Sequence, residues 1–165
     1  MSGEEWLDEQ QQDHWRAYLR GSRLLERALV EDLAPSNVQL TEYELLSMLS
    51  EAPGQRMRMS RLADLIIQSR SRVTHTATRL EKRGWVERCR SGDDGRGVEI
   101  SLTDAGRHEL DRLARIHVAS VRRHLVDALT PEQFAALGEA MAVLRDRIYP
   151  DHHEIGREIR ATDDA

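Results

Sequence analysis

Cysteine is almost absent from this sequence, since Cys89 is the only one among 165 residues. A single thiol can form no disulfide within the chain and cannot build a metal site from several cysteines. Arg88 and Arg90 flank it and would favour the thiolate. Its predicted position in a strand nevertheless favours a structural or incidental thiol over a redox sensor.

Long apolar runs are also missing, because none approaches the roughly 18 residues that a membrane span needs. The N-terminal stretch MSGEEWLDEQQQDHW is acidic and polar, unlike a signal peptide. We therefore expect a soluble, cytoplasmic protein with no membrane partner. Hydrophobic residues still make up 39% of the chain, which predicts a folded protein, and its length fits one domain.

The motifs of several enzyme classes are absent as well. The glycine-rich stretch at 92–97 lies between two predicted strands and lacks the Lys-Ser/Thr pair of a phosphate-binding loop. It also lacks the spaced acids and terminal glutamate of a calcium loop. No Ser-His-Asp or Cys-His set is arranged for nucleophilic catalysis. We therefore expect no enzymatic activity and no cofactor.

Seven histidines raise the alternative of a metal sensor. His152 and His153 precede Glu154 in a polar tail, and His117 and His124 lie seven residues apart on one predicted helix face. Histidines in such positions are more often surface or interface residues, so we predict no metal site.

The net charge is small, but the charged residues are unevenly distributed along the chain. The net charge is -5, yet residues 56–96 contain eleven basic and five acidic side chains, so this segment carries +6 and the remainder -11. A basic centre between acidic flanks suits a module that binds a polyanion such as DNA. A solvated, charge-rich surface is the alternative that charge alone leaves open.

Apolar spacings of three and four predict a long first helix at 9–33, and a Thr41–Glu44 capping box predicts the start of a second. Short helices follow at 60–67 and from Ser69, the predicted N-cap, to Arg83, where Gly84 ends the helix. Two short helices joined by a few residues indicate a helix-turn-helix.

Alternation with a period of two then predicts strands at 86–89 and 98–102, joined into a hairpin by the glycine-rich loop. Thr103 or Asp104 caps a long helix that we expect to reach Leu129. The box at 130–133 starts a final helix to about Tyr149, and a polar tail follows at 150–165.

The second helix of the pair has a distinctive polar face. Setting Val73, Ala77 and Leu80 toward the core leaves an opposite side with no aliphatic residue and no carboxylate. Hydroxyls, imidazole and arginine can contact base edges and phosphates in the DNA major groove. The predicted DNA-binding residues here are Ser69, Arg70, Ser71, Arg72, Thr74 and His75 for bases and nearby phosphates, and Arg79 and Lys82 for the backbone. The alternative is an ordinary solvated face.

Three stretches together resemble the MarR family of winged helix-turn-helix regulators. They are LADLIIQSRSRVTHTATRLEKRGWVER at 62–88, DDGRG at 93–97 and VEISLTDAG at 98–106, and the resemblance spans roughly residues 10–150. It implies a mainly α fold with a small β-hairpin wing. Residues 41–103 would form the DNA-binding lobe, and 9–33 and 104–149 the dimerisation helices, within one domain over 1–165.

The resemblance further implies a homodimer whose wings reach the minor groove. Arg96 would enter that groove and Asp94 would orient it. Many family members repress efflux or catabolic genes, and small phenolic or lipophilic ligands release them from DNA.

The residues themselves support an obligate dimer through long apolar stripes at both ends. Candidate interface residues are Trp6, Trp15, Leu19, Leu137, Leu144 and Ile148. Packing of these stripes within one chain remains the alternative.

The resemblance places an effector in the crevice between the dimer helices and the DNA-binding lobe. His14, Trp15 and Tyr18, with Met48 or Arg72 as further candidates, could stack on and hydrogen-bond an aromatic acid. A role of the first three in the dimer core is equally open.

The sequence thus predicts a homodimeric winged helix-turn-helix regulator, expected to repress transcription from a pseudo-palindromic operator of double-stranded DNA until a small molecule releases it. A MarR-like sensor or protein-interaction scaffold with little DNA binding is the alternative.

Overall fold

The structure is a computed structural model that describes residues 6–90 and 97–150. Within these ranges a small sheet is inserted into a mainly helical chain, which confirms the predicted fold class. The elements are α1 (Glu9–Leu33), α2 (Leu40–Glu51), β1 (Arg56–Arg58), α3 (Met59–Leu65), α4 (Arg70–Lys82), β2 (Val86–Arg90), β3 (Val98–Leu102), α5 (Asp104–Val121), a π-helical turn (Arg122–Val126) and α6 (Pro131–Ile148).

Local capping signals locate most helix starts. The Ser69 hydroxyl accepts a hydrogen bond from the Arg72 amide at the start of α4, and Thr103 caps α5 in the same way. Thr130 and Gln133 form the predicted capping box of α6. These caps satisfy backbone N–H groups that have no partner inside the helix.

The predicted start of α2 is wrong, because the N-cap is Gln39 and not Thr41. The helix begins at Leu40, and its capping box joins Gln39 to Glu42 instead of Thr41 to Glu44. The Gln39 amide donates to Glu42 Oε2 over 2.8 Å. Glu42 is buried and also accepts a hydrogen bond from Arg79 of α4. This second partner favours the capping box at Gln39 over one at Thr41.

The antiparallel sheet has the order β1-β3-β2, and β1 was not predicted. In β1 only Met57 is buried, opposite Ile100 of β3, while both flanking arginines are exposed. Three residues with one apolar side chain give too short a pattern to recognise without the partner strand. β1 places Arg58 at the entrance to α3.

The hydrophobic core lies in the lobe formed by α2 to α5 and the sheet. Its fully buried side chains include Leu45, Leu46, Leu49, Leu62, Val73, Leu80, Ile100 and Leu113. In contrast, α1 buries only Leu33, and none of the residues of α6 is buried. The two terminal helices therefore present most of their apolar side chains to the outside of this chain.

The predicted continuous helix to Leu129 is wrong, because α5 ends at Val121 and a wider π-helical turn follows. Asp32 of α1 accepts hydrogen bonds from Ser120 over 2.5 Å and from Arg123 over 2.9 Å, and His124 Nε2 lies 3.0 Å from the same oxygen. The Ser120 hydrogen bond, ahead of His124 and Arg123, lowers the pKa of Asp32. We attribute the wider turn to these three contacts.

The tight turn between α3 and α4 contains a strained residue. Ile67 adopts φ +52°, and the residue is largely exposed to solvent (75%). A left-handed conformation costs an L-residue roughly 1–2 kcal/mol.

We therefore expect Ile67→Gly to raise the free energy of unfolding by about 0.5–1 kcal/mol, because relief of strain exceeds the entropy that glycine loses on folding. Thermal denaturation measures the change. Ile67→Ala keeps the Cβ atom and should gain less. A glycine variant that unfolds at or below the temperature of the alanine variant contradicts this account.

Candidate nucleic-acid interface

Helix α4 divides into a buried and an exposed side. Val73, Ala77 and Leu80 are fully buried and Thr76 is nearly so. All eight predicted DNA-binding residues of the described chain lie on the exposed side: Ser69, Arg70, Ser71, Arg72, Thr74, His75, Arg79 and Lys82. Asp94 and Arg96 lie outside the described residues. The helix thus presents a continuous polar surface with its N-terminal half unobstructed by carboxylates.

Two threonine hydroxyls of this surface donate hydrogen bonds to the helix backbone. Thr74 donates to the Arg70 carbonyl and Thr78 to the Thr74 carbonyl, each over 2.8 Å. Although the hydroxyl protons are donated to the backbone, the threonine oxygens can still accept hydrogen bonds from base amino groups. The threonine methyl groups can contact thymine.

A basic cleft separates α4 from the base of the hairpin. It encloses about 390 Å³ and is lined by Arg58, Met59, Ser60, Arg70, Thr74, Gly97 and Val98. Arginines from two different elements therefore line one cleft, which is large enough to admit a phosphate group. Arg58 was not among the predicted DNA-binding residues, and its signal in the sequence was its place in the RMR stretch of the basic segment.

The one carboxylate near the end of this surface is neutralised by the sheet. Glu81 accepts hydrogen bonds from the Arg88 guanidinium, one of them 3.0 Å long. The Arg88 hydrogen bond lowers the pKa of Glu81, so the pair stays charged. The contact also ties α4 to β2, and hence fixes the hairpin relative to the helix.

The start of α5 makes a second attachment for the hairpin. The Thr103 amide donates to the Trp85 carbonyl over 3.1 Å, and its hydroxyl donates to the Gly84 carbonyl over 2.6 Å. Gly84 has φ +72°, a conformation that favours glycine at the end of α4. Helix α4, the hairpin and α5 thus meet at residues 84–85.

Arg79 differs from its neighbours on α4 in having partners inside the protein. Its Nε donates to Glu42 Oε1 over 3.0 Å, and its Nη2 donates to Gln39 Oε1 over 2.6 Å. Its side chain is 43% exposed, whereas that of Glu42 is 2% exposed. Its position on the helix face is as predicted, but its guanidinium is directed toward α2.

Another cleft lies between α1, the start of α2 and the helix-turn-helix, and encloses about 810 Å³. Arg72, Arg79 and Arg83 line one side, and Glu26 and Glu44 the other. Burial, followed by the negative charge of Glu26, raises the pKa of Glu44. The cleft lies beside a predicted dimerisation helix and the predicted DNA-binding lobe, and Arg72 links it to the exposed surface of α4.

The structure separates the predicted effector residues into two groups. His14, Trp15 and Tyr18 are exposed on α1, where the Trp15 and Tyr18 rings stack with centroids 5.7 Å apart. Met48 lines a different cleft of about 400 Å³, formed by α2, the α3–α4 turn and α5. His14, Trp15 and Tyr18 do not line this cleft of about 400 Å³.

His117 faces the cleft that contains Met48. Its ring contacts Tyr43 with centroids 4.3 Å apart, and its buried Nδ1 has no hydrogen-bond partner among the described residues. Burial lowers the pKa of His117 below its ordinary value of 6.5. The folded protein therefore keeps this imidazole neutral.

This gives a prediction for the pH dependence of stability. Below pH 6.5 the unfolded chain binds a proton at His117 that the folded chain resists, so stability falls as the pH decreases. His117→Phe keeps a ring against Tyr43 and should lose less stability than wild type between pH 7.5 and 5.5 in urea unfolding. An equal loss in both proteins would rule out His117 as a source of the pH dependence.

The other predicted sites give no competing centre in the described parts of the chain. No group of three or more histidine, cysteine, aspartate or glutamate side chains there could hold a metal ion. His152, His153 and Glu154 lie outside the described residues, and Cys89 is exposed. None of the described helices has the length and apolar character to cross a membrane.

Comparison with known proteins identifies the family. The MarR family profile matches residues 36–97. The regulator PecS of Dickeya dadantii is 31% identical over 114 residues, covering 68% of this chain and 66% of PecS. The transcriptional repressor MprA of Escherichia coli is 34% identical over 91 residues, covering 55% and 51%. The matches thus span about half to two thirds of the length of these curated relatives.

Two solved structures match over nearly their whole length. AbsC, a MarR family transcriptional regulator from Streptomyces coelicolor, has 40% identity and a TM-score of 0.83, with 87% of this chain and 97% of AbsC covered. Sco3205, from the same family and organism and solved in complex with DNA, has 40% identity and a TM-score of 0.84, with 89% and 96% covered. These relatives are regulators and not enzymes. This chain belongs to the MarR family of transcriptional regulators.

Proposed function

We propose that the protein is a homodimeric repressor that binds a pseudo-palindromic operator in double-stranded DNA and is released by a small molecule. The observation that carries the proposal is the exposed surface of α4, where arginine, hydroxyl and imidazole groups line the N-terminal half without a carboxylate. The 40% identity to Sco3205, whose structure contains DNA, supports it.

In this proposal α4 enters the major groove with its N-terminus foremost. Arg70 and Arg72 donate to guanine edges or nearby phosphates, and Thr74 and His75 contact adjacent bases. Lys82, at the C-terminal end of α4, contacts a phosphate. The cleft between Arg58 and Arg70 accepts another phosphate of the same duplex.

The wing completes the interface in the adjacent minor groove. We assign Arg96 to the groove, where a narrow minor groove concentrates negative potential, and Asp94 to orienting its guanidinium. Both assignments depend on the family resemblance of DDGRG.

Dimerisation follows from the apolar side chains that the terminal helices leave outside the chain. On α1 and just before it, the exposed ones are Trp6, Leu7, Trp15, Tyr18, Leu24 and Val30, and on α6 and just after it they are Phe134, Val143, Leu144, Ile148 and Tyr149. A single chain rarely exposes so many large apolar side chains on two helices. A twofold dimer would cover them and hold two α4 helices about 34 Å apart, one turn of DNA.

The proposed effector site is the cleft of about 810 Å³ beside α4. A ligand there would contact Val30 and Leu40 on one side and Arg72 on the other, so it could move the DNA-binding surface relative to α1. Arginines beside apolar side chains suit a small aromatic or lipophilic anion. His14, Trp15 and Tyr18 remain candidate contacts if the partner subunit supplies them, and Met48 remains a candidate through the separate cleft of about 400 Å³ that it lines.

A gel-shift assay with the gene's own upstream region tests DNA binding. We expect binding at low salt that weakens steeply as salt rises, and release from the complex in a screen of aromatic acids. Failure to bind any upstream fragment at low salt would reject the regulator and favour a sensor or interaction scaffold with little DNA binding.

Base contacts and phosphate contacts should respond differently to mutation. Arg70→Ala should weaken operator binding by about 1–3 kcal/mol and relax sequence preference. Lys82→Ala should weaken operator and unrelated DNA alike and reduce the salt slope by about one. Fluorescence anisotropy with both DNAs at several salt concentrations measures these effects. An Arg70→Ala variant with unchanged sequence preference would remove Arg70 from the base contacts.

A further inference from the structure

We propose that Arg79 and Arg83 are positioning residues that hold α4 at a fixed orientation against the segment joining α1 to α2, and that Arg79 does not serve as a phosphate contact. The inference rests on the proposed DNA binding and concerns how the binding helix is set for it.

The first attachment is the contact of Arg79 with Gln39 and Glu42. Two nitrogens of one guanidinium donate to two different residues of the α2 N-terminus, over 3.0 Å and 2.6 Å. The second carboxylate oxygen of Glu42 accepts from the Gln39 amide over 2.8 Å. Glu42 therefore caps α2 and pairs with α4 at once, so the start of α2 and the middle of α4 form one unit.

The second attachment lies one helical turn later. Arg83 Nη2 donates to the Asn37 carbonyl over 2.6 Å, and its guanidinium lies 4.7 Å from the centre of the Trp85 ring. Asn37 adopts φ +54° in the turn that follows α1, which directs its carbonyl group outside any helix. Two attachments spaced by four residues lie on the same side of α4.

Two directional contacts add to the apolar packing of α4. The apolar part of the buried face of α4 consists of Val73, Ala77 and Leu80, and burial of apolar surface has no preferred direction. Hydrogen bonds to charged groups are directional and strong. Apolar packing selects the buried face of α4, and these contacts add a directional restraint on its orientation against the segment joining α1 to α2.

The same contacts argue against a phosphate contact by Arg79. Turning its guanidinium to DNA would leave the Glu42 carboxylate, which is 2% exposed, without its charged partner. An uncompensated buried charge is strongly unfavourable. Lys82, three residues later and exposed, has no such constraint from Glu42, and it is the matched control for a phosphate contact.

The attachments also connect α4 to the proposed dimer helices and effector cleft. Asn37 and Gln39 lie in the segment that joins α1 to α2, so the distance between the two α4 helices of a dimer would depend on these contacts. Arg79 and Arg83 both line the cleft of about 810 Å³. A molecule in the cleft would reach the groups that orient the DNA-binding helix.

The salt dependence of operator binding separates the two roles of Arg79. Lys82→Ala should lower the slope of log K against log salt by about one. Arg79→Ala should weaken binding at least about tenfold with the wild-type slope. Arg79→Lys retains the charge but cannot donate to Glu42 and Gln39 in the same geometry, so we expect binding as weak as in Arg79→Ala.

Glu42→Gln provides a variant outside the DNA-binding surface. We expect it to weaken operator binding, and to add little when combined with Arg79→Ala, because both substitutions break one interaction. Thermal unfolding identifies any variant that does not fold, and the conservative Arg79→Lys then decides the question. A lowered salt slope in Arg79→Ala, full binding by Arg79→Lys or wild-type affinity of Glu42→Gln would each overturn the inference.

Hydrogen exchange tests the attachment without DNA. Arg79→Lys should reduce the protection of amides in α4 and at 39–42, whereas Lys82→Ala should leave it unchanged. Unchanged protection in Arg79→Lys overturns the positioning role. If the wild-type protein does not bind DNA at low salt, the proposed function fails, and hydrogen exchange still decides whether these contacts hold α4.

Discussion

Replacing Gly106 with alanine is expected to destabilise the folded protein by about 3 kcal/mol. A Cβ atom at this position would lie 2.0 Å from the Trp85 carbonyl oxygen, 2.8 Å from its carbonyl carbon and 2.9 Å from Leu102 Cδ1. The nearest obstacle is backbone, which no side-chain rotation can relieve. The first turn of α5 would have to move away from the end of α4 and from β3.

That movement would break the junction between α4, the hairpin and α5. The Thr103 amide donates to the same Trp85 carbonyl, and the Thr103 hydroxyl accepts from the Gly106 amide over 3.0 Å. Loss of these bonds releases the base of the hairpin, so operator binding should fall together with stability.

Urea unfolding of Gly106→Ala beside Gly21→Ala measures the effect. Gly21 lies within α1 with no atom within 4 Å of an added Cβ, so alanine there should be stabilising by about 0.5–1 kcal/mol. The two variants make the same chemical change in a helix and differ in what surrounds it. A Gly106→Ala protein within 1 kcal/mol of wild type would show that α5 can shift without loss.

Structural features that depend on residues a few positions apart in the sequence could be predicted. Ser69 and Thr130 cap the helices that they were expected to cap, because each bonds to a residue three positions later. The strand at 98–102 follows from its alternation. The resemblance to the MarR family rests on such local patterns, and the observed fold agrees with the fold that it implies.

Features decided by distant residues could not be predicted. Strand β1 exists because Met57 pairs with Ile100, and the π-helical turn is associated with the contact between Asp32 and Ser120. The Cβ that Gly106 must lack is likewise excluded by Trp85, which lies 21 residues away in sequence. No local pattern contains these distances.

The candidate interface shows the same division. Helical periodicity was sufficient to place the polar residues of α4 on one side. It could not distinguish Lys82, which is exposed, from Arg79, whose partner Glu42 lies 37 residues earlier. Both are basic residues on one face, and only the tertiary contact gives them different roles.

Converting Leu144 and Ile148 to aspartate should produce a monomer. The two side chains lie four residues apart on α6 and are 44% and 75% exposed. Burial of carboxylates in an apolar interface is strongly unfavourable, so the dimer should not form. Without a second α4 held at the next turn of the DNA, operator affinity should fall on the order of 100-fold or more.

Sedimentation and fluorescence anisotropy on the same samples separate assembly from DNA contact. Ala135→Asp adds a carboxylate to the side of α6 that already has Glu139 and Asp146, and it should remain a dimer with wild-type affinity. The monomer should keep its helical circular dichroism signal, because α6 contributes no buried residue to the core of the chain. Its residual DNA binding should keep a salt dependence, since α4 retains its basic residues, but with roughly half the slope. A double variant that remains dimeric would place the interface elsewhere, whereas a monomer with undiminished operator affinity would show that one α4 helix is sufficient for recognition.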